Sequence, residues 1–256
     1  MSTPACQFAW YELMTTEPSA AETFYRNVFG WQMQDAGMPG GAYTLLSAGT
    51  TMIGGLMGLT PDMRAAGARP GWIGYVGVPD VDASAARVLR MGGQQHRAAQ
   101  DIPGVGRFAV MADPHGAAFV LFKGNGVPPA PVAPGTPGHI GWHELQAGTL
   151  DAAFTFYAEM FGWTRGEAID MGAMGTYQLF NAGADAIGGM MTKLPEVPVP
   201  FWLYYVNVAG VDATLARVTA GGGKLLSGPM QVPGGSWIAQ CVDPQGAMFA
   251  FVGPKG

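Results

Sequence analysis

Charge is scarce in this chain. Asp, Glu, Lys and Arg make up 12% of 256 residues, about half the usual share. The formal net charge is −5 and no basic run exists, which argues against a nucleic-acid partner. Cysteine is nearly absent. Cys6 and Cys241 are the only two, and they fall at unrelated places in the chain, so no disulfide framework is expected and a reduced, cytoplasmic protein is the simplest reading. No apolar run approaches the ~18 residues of a membrane span. Met1-Ser2-Thr3-Pro4-Ala5 lacks the basic and apolar regions of a secretion signal. Histidine is rare, at four, which narrows the choice of metal ligands and acid–base groups. Plentiful instead are apolar residues (48%), Gly (40) and Met (16). Few charges with many glycines suggest a buried sheet protein with close backbone approaches.

The most informative feature present is a repeat. Trp10-Tyr11-Glu12-Leu13 returns as Trp142-His143-Glu144-Leu145, a shift of 132 (142 − 10). Phe24-Tyr25 with Phe29-Gly30-Trp31 returns as Phe156-Tyr157 with Phe161-Gly162-Trp163 at the same shift. Ile53-Gly54-Gly55 returns as Ile187-Gly188-Gly189, shifted by 134 (187 − 53). Val81-Asp82 and Asp113-Pro114-x-Gly116 return as Val211-Asp212 and Asp243-Pro244-x-Gly246, both shifted by 130 (211 − 81, 243 − 113). Five landmarks in one order, with slips of a size that loops tolerate, mean a duplicated domain. Lys123 to Gly138 holds five Pro and four Gly and reads as a linker, extended around Pro128-Pro129. The expected layout is one domain over 6–124, a linker over 125–138 and a second domain over 139–254.

Each repeat divides again. Phe8–Met14 reads as a strand and Ala20–Phe29 as a helix stopped by Gly30. Strands follow near Gln32–Asp35, Ala42–Ala48 and Thr51–Leu59. The pattern then restarts with a strand over Trp72–Val78, a helix over Val81–Met91 stopped by Gly92-Gly93, and strands near Gln94–Ala99, Arg107–Ala112 and Ala117–Phe122. The second repeat matches. The fold class is therefore α+β, with four βαβββ units.

The Phe-Tyr…Phe-Gly-Trp run, the Val-Asp that opens the second helix, the Gly-Gly that ends it and Asp-Pro-x-Gly before the last strand resemble the vicinal oxygen chelate superfamily. That superfamily groups glyoxalase I, bleomycin-resistance proteins and extradiol dioxygenases. The resemblance covers both repeats and is nearest to bacterial tandem glyoxalase-like proteins. It implies cupped mixed sheets that hold a metal and a substrate with adjacent oxygens. The ligands it implies lie on the first, fourth, fifth and eighth strands of each repeat. Counted from the landmarks, three of these positions hold Trp10, Ile73 and Val120, and in the second copy Trp142, Leu203 and Ala250. The fourth-strand region, GGLMGL or GGMMTK, offers no carboxylate or imidazole. A divalent ion needs three or four N, O or S ligands, and these side chains supply none. No metal and no cofactor is expected.

What the same strands do offer is a carboxylate beside an indole. Side chains alternate across a strand, so Trp10 shares a face with Glu12, and Trp142 with Glu144. Burial would drive such a carboxylate toward the range of a general base, unless a hydrogen-bonded structural role claims it. By the same parity Tyr75 and Tyr205 line the face of Ile73 and Leu203. Catalysis is assigned to Glu12 and Glu144, and substrate binding to Trp10, Tyr75, Arg107, Trp142 and Tyr205. Arg107 stands where the second copy has Trp237, so an anionic ligand would favour the first copy. His143, beside Trp142, belongs to the opposite face, and His96 and His115 read as surface residues. The glycine pairs 54–55 and 188–189 lie inside strands and mark bulges or close approaches.

The expected protein acts on, or binds, a small oxygenated and partly aromatic molecule in a metal-free cup, as a glyoxalase-like lyase or isomerase. Two alternatives stand beside this. One is a metal-dependent lactoylglutathione-lyase-like or dioxygenase enzyme with non-standard ligands. The other is a non-catalytic drug-binding protein. A monomer or a homodimer suits all three.

Overall fold

The structure, a computed structural model, describes residues 6–38, 42–127 and 132–256. Both the Pro128-Pro129 stretch and Met1–Ala5 lie outside the described residues. Among those described are sixteen strands and five α-helices, arranged as two mixed eight-stranded sheets. The first repeat contributes β1 (Phe8–Thr15), α1 (Pro18–Phe29), β2 (Gln32–Asp35), β3 (Tyr43–Ala48), β4 (Thr51–Gly58), α2 (Pro61–Ala65), β5 (Gly71–Gly77), α3 (Val81–Arg90), β6 (Gln94–Ile102), β7 (Gly106–Ala112) and β8 (Ala118–Gly124). Its sheet runs β2-β3-β4-β1-β5-β8-β7-β6. The second repeat contributes β9 (Ile140–Ala147), α4 (Leu150–Phe161), β10 (Thr164–Asp170), β11 (Thr176–Ala182), β12 (Asp185–Thr192), β13 (Phe201–Asn207), α5 (Val211–Ala220), β14 (Lys224–Gln231), β15 (Trp237–Val242) and β16 (Met248–Gly253). Its sheet has the matching order β10-β11-β12-β9-β13-β16-β15-β14. The α+β reading and the four βαβββ units hold.

Local chemistry explains the element ends. α1 and α4 each stop at a glycine in the left-handed region, Gly30 at φ 73° and Gly162 at φ 71°, where a Cβ would be strained. α3 starts on Asp80, whose side chain accepts from the Ala83 N–H at 2.9 Å. The short α2 has no counterpart in the sequence reading. Thr60 caps it by accepting from Met63 N, and Pro61 occupies its first turn.

The compact units do not follow the repeats. One unit comprises residues 6–9, 73–127 and 142–202; the other comprises 10–38, 42–72, 132–141 and 203–256. Each thus takes one half of each repeat. In the second unit α1 packs near α5, and in the first α3 packs near α4. The core of the second unit draws Leu13, Tyr25, Val28, Trp31 and Leu46 from the first repeat and Val206, Val218, Phe249 and Phe251 from the second.

The repeat landmarks carry this interlock. Tyr25 Oη donates to the Asp243 carboxylate at 3.1 Å and accepts from Trp72 Nε1 at 3.0 Å. In the other unit Tyr157 Oη donates to Asp113 at 3.2 Å and accepts from Trp202 Nε1 at 3.1 Å. Each Asp also holds its own turn, Asp113 accepting from His115 N and Ala117 N, and Asp243 from Gln245 N and Ala247 N. Burial raises the pKa of Asp243, and these backbone donors and Tyr25 work against that rise. Tyr25, Trp31, Tyr157 and Trp163 are fully buried, as their reading as core residues requires.

Candidate functional site

Strand alternation builds the site. On β1, Leu13 enters the core under α1, so Trp10, Glu12 and Met14 present the opposite face. On β9, Leu145 is buried and Trp142, Glu144 and Gln146 share the other face. β1 pairs in parallel with β4 so that Glu12 stands opposite Gly55; β9 pairs with β12 so that Glu144 stands opposite Gly189.

Into this gap comes a residue that sequence reading missed. Tyr43 on β3 and Tyr177 on β11 lie over the glycines, and a Cβ at Gly55 or Gly189 would collide with the phenol ring. The neighbouring glycines are needed too, since a Cβ at Gly54 or Gly188 would meet the carbonyl oxygen of Tyr11 or His143. The ladder also slips one residue at Ile53 and at Ile187. Each Gly-Gly pair is therefore both a close approach and the flank of a bulge. Its purpose is room for a tyrosine. One signal in the sequence pointed there: Tyr43 and Tyr177 recur at the same shift of 134 (177 − 43) as the glycines they cover.

The result is a Trp–Tyr–Glu relay, built once in each compact unit. Trp142 Nε1 donates to Tyr177 Oη at 2.8 Å, and Tyr177 Oη donates to Glu144 Oε2 at 3.3 Å. Gln146 Nε2 donates to the other oxygen, Glu144 Oε1, at 2.8 Å. In the first copy Trp10 Nε1 donates to Tyr43 Oη at 3.1 Å, and the phenol is hydrogen-bonded to Glu12. Glu12 is 8% exposed and Glu144 7%, while both indoles are half-buried. Burial, then the charge of the adjacent glutamate, raises the pKa of Tyr43 and of Tyr177. Both phenols therefore stay protonated donors, which stabilises the carboxylate they face. Each relay presents an aromatic floor with one carboxylate at its end.

The other predicted residues come from other strands, Tyr75 from β5, Tyr205 from β13 and Arg107 from β7. Tyr75 belongs to the same unit as Trp142, stands opposite Val120 on β8 and meets Phe122 edge to face at 5.8 Å. Tyr205 belongs to the same unit as Trp10; its hydroxyl accepts from Gln240 Nε2 at 2.7 Å. Arg107 shares its face of β7 with the buried Ala109 and Met111, the side that carries α3. Its guanidinium donates to Asp82 at 2.7 and 2.8 Å and to Asp101 at 3.0 Å. Two carboxylates thus occupy the group expected to meet an anionic ligand. His143 faces away from Trp142, as strand parity requires. It stacks on Phe8 at 4.1 Å with its Nδ1 2.6 Å from the Ile187 carbonyl oxygen. Burial pushes its pKa down to about 4, against the smaller lift from that hydrogen bond, so it is neutral at pH 7. His96 and His115 are exposed.

A metal of the kind the fold accommodates elsewhere does not fit these residues. At the first-strand position an indole N–H points at a phenol, and an indole N–H is a donor without a lone pair to give. Val120 and Ala250 have no donor atom. Among the described residues, no three His, Cys, Asp or Glu side chains cluster as a metal site would.

Comparison with known proteins places the chain. Residues 10–122 match the glyoxalase-like domain model, and residues 137–251 match the model of the glyoxalase/bleomycin resistance protein/dioxygenase superfamily. CFP32 of Mycobacterium tuberculosis, provisionally named a glyoxylase, is 34% identical over 96% of this chain and 94% of its own. The anthracycline biosynthesis protein DnrV of Streptomyces peucetius is 32% identical over 95% of this chain and 92% of its own. The fold is shared with the Mn(II)-bound glyoxalase from Novosphingobium aromaticivorans (TM-score 0.68, 14% identity, 100% of this chain and 84% of that one). It is shared also with the 2,3-dioxygenase LapB from Pseudomonas sp. KL28 (TM-score 0.67, 14% identity, 100% and 94%). With both repeats matched and full-length relatives above 30% identity, the chain belongs to the glyoxalase/bleomycin resistance protein/dioxygenase superfamily as a tandem, two-repeat member.

Proposed function

We propose that the two Trp–Tyr–Glu relays bind a small, oxygenated, partly aromatic molecule without a metal, with Glu12 and Glu144 as the proton-accepting groups. The single observation that carries this is the relay itself, built twice, each time from three strands and one glycine pair. A floor of indole and phenol suits a flat ring. A buried carboxylate at its end suits a hydroxyl or an acidic C–H beside a carbonyl. The relative named for anthracycline biosynthesis directs attention to polycyclic, quinone-bearing ligands. Tyr75 and Tyr205 are proposed as further aromatic walls. The phenol holds the carboxylate in place, the carboxylate accepts a proton from the ligand, and the same carboxylate returns it to a neighbouring atom. No charge needs to leave the site. That is an isomerisation; a lyase reaction would begin with the same proton removal and end with a group leaving the adjacent atom with its bonding electrons.

One observation favours a second reading, a binding protein without turnover: each carboxylate already accepts a hydrogen bond from its tyrosine, a satisfied state that needs no reaction. A small-molecule ligand, a cytoplasmic setting and a monomer or homodimer fit both readings. The net charge of −5 supports a reading without a nucleic-acid partner. Among the described residues no helix is long and apolar enough to cross a membrane.

The test is a thermal-shift and turnover screen with an anthracycline aglycone, a catechol and the hemithioacetal of methylglyoxal and glutathione. A ligand should raise the Tm of the wild type, and Glu12→Gln/Glu144→Gln should abolish turnover while leaving the fold intact. Turnover unchanged in the double variant removes the proton-transfer role. No shift with any of the three removes the binding role.

A further inference from the structure

A cavity of about 130 Å³ lies between the last turn of α1, the residues just ahead of β9, the end of β13 and α5. Its lining comes from a single compact unit. Val28 and Val208 in its wall belong to the same core as Leu13. The cavity therefore borders the helix side of β1, whereas Trp10 and Glu12 face the other side. Phe29 and Pro137 add further apolar wall, and exposed Ala209 and Arg217 mark its mouth. The polar backbone of the wall is already paired. Gly138 N–H donates to the Asn207 carbonyl and Asn207 N–H to the His139 carbonyl, both at 2.8 Å. The Gly138 carbonyl accepts from Trp31 Nε1 at 2.8 Å. What the lining still offers a ligand is the Asn207 carboxamide and the Arg217 guanidinium.

Arg217 is held in place without being used up. Its Nε donates to the Val28 carbonyl and its Nη2 to Thr214 Oγ1, both at 2.9 Å. A guanidinium carries five N–H groups, so three are left among the described residues, on Nη1 and Nη2. These two nitrogens form the end-on fork that matches the two oxygens of a carboxylate. Arg107 and Arg165 spend theirs on aspartates; among the described residues no carboxylate pairs with Arg217. We propose that this cavity binds a small monocarboxylate with a short apolar tail, its oxygens on the Arg217 fork and its tail against Val28, Phe29 and Val208. The site is separate from the relays and does not depend on their role. An exposed ion pair alone holds little, and burial of the tail supplies the rest. The volume is near that of a cavity of ~150 Å³ that takes benzene, which limits the tail to about four carbons. A phosphate fits poorly, because its remaining oxygens would meet the apolar wall unpaired. The first repeat has Gly77 and Pro79 where the second has Asn207 and Ala209 (207 − 130, 209 − 130), so it has no carboxamide at this place.

Isobutyrate, titrated into the intact protein and followed by 1H–15N NMR of the indole N–H groups, tests this. Trp31 reports on the cavity through its bond to Gly138, and Trp10 on the first relay through its bond to Tyr43. The Trp31 signal should move with a Kd of about 1 mM while the Trp10 signal stays in place. Arg217→Lys keeps the charge and loses the fork, so binding should weaken about tenfold. Ala209→Leu fills the mouth and leaves Arg217 intact, so binding should vanish. Arg87→Gln alters the same helical position in the first repeat (217 − 130) and should bind as the wild type does. Near-UV circular dichroism shows that each variant is folded; should one of the two cavity variants not fold, the other decides. Sodium phosphate and sodium chloride at equal ionic strength should leave the Trp31 signal unmoved. A Trp31 signal that stays put at about 50 mM isobutyrate, roughly fiftyfold above the expected Kd, overturns the proposal. So does an equal response to chloride or phosphate, a response at Trp10 in place of Trp31, or wild-type affinity in a folded Arg217→Lys or Ala209→Leu protein.

Discussion

His143 shows how one buried residue sets a pH limit. Its ring is 6% exposed, stacked on Phe8 and bonded to the Ile187 carbonyl, and burial depresses its pKa from 6.5 to about 4. Between those two values the unfolded chain binds a proton that the folded chain refuses. The stability this residue supports is therefore full above pH 6.5 and is lost progressively as pH falls to about 4, a span worth about 3 kcal/mol. Wild-type Tm should fall across that window. His143→Gln, which has an N–H for the same carbonyl, should start lower at pH 7 but show a flatter profile from pH 6.5 to 4. An identical slope in the variant would assign the acid sensitivity elsewhere. Tyr11, its counterpart, titrates far above this range because burial pushes it up, so the effect belongs to one copy. Gly189 is a second residue with a sharp consequence. Gly189→Ala drives a methyl into the Tyr177 ring, which should cost about 1–3 kcal/mol and abolish ligand-induced Tm shifts at the second relay, as Gly55→Ala should at the first. The indole and the glutamate of each relay were legible from strand parity. The tyrosine was not, because it arrives from a different strand, 33 positions away from Trp10, and periodicity within one strand carries no information about such a partner. The partners of Arg107 were hidden for a related reason: Asp82 approaches from a helix and Asp101 from a neighbouring strand, and parity within β7 reveals neither.

Caps and turns distinguish the elements of the two copies. α3 begins at Asp80, which holds the Ala83 N–H, while α5 begins at Gly210 with no side-chain cap. Asp80→Ala should lower stability by about 1 kcal/mol. Gly210 is extended, at φ −164° and ψ 126°, and a Cβ there would meet Gly256 only at ordinary contact distance. Gly210→Asp should therefore add a few tenths of a kcal/mol by supplying the missing cap, read as a rise in chemical-denaturation midpoint with an unchanged m-value. A fall would mean that the chain end near Gly256 is displaced. At this scale most of the fold was legible. The spacing of Ala21, Phe24 and Val28 marks α1, and the β2 expectation Gln32–Asp35 coincides with the observed strand. The strongest miss is α2. Its signal, Thr60-Pro61-Asp62, is an N-cap followed by Pro at the first turn. Five residues give no apolar periodicity to read, so capping chemistry was the only available evidence.

At the scale of the whole molecule, duplication and compactness follow different boundaries. The repeats are continuous in sequence, yet each compact unit is assembled from half of each. The Tyr25–Asp243 and Tyr157–Asp113 hydrogen bonds join landmarks of opposite repeats. Nothing in a sequence repeat says which halves share a core, because the same hydrophobic faces bury equally well against either copy's partner. The consequence is testable by dividing the chain. A fragment of residues 1–127 keeps Tyr25 and Asp113 but loses Asp243 and Tyr157, and it exposes the face of α1 that Val218 and Phe249 help cover in the intact chain. Losing a hydroxyl partner from a buried aspartate costs about 1–3 kcal/mol. Opening a core that includes Tyr25, Val28 and Trp31 costs far more than the net stability of an ordinary domain provides. Neither this fragment nor 132–256 should melt cooperatively alone. Mixed at equal concentration, they should regain the near-UV circular dichroism of the intact protein and elute together. A cooperative transition in the isolated 1–127 fragment would show that it finds its own core, and the interlock would then be a consequence of tethering two self-sufficient domains rather than the condition for folding either.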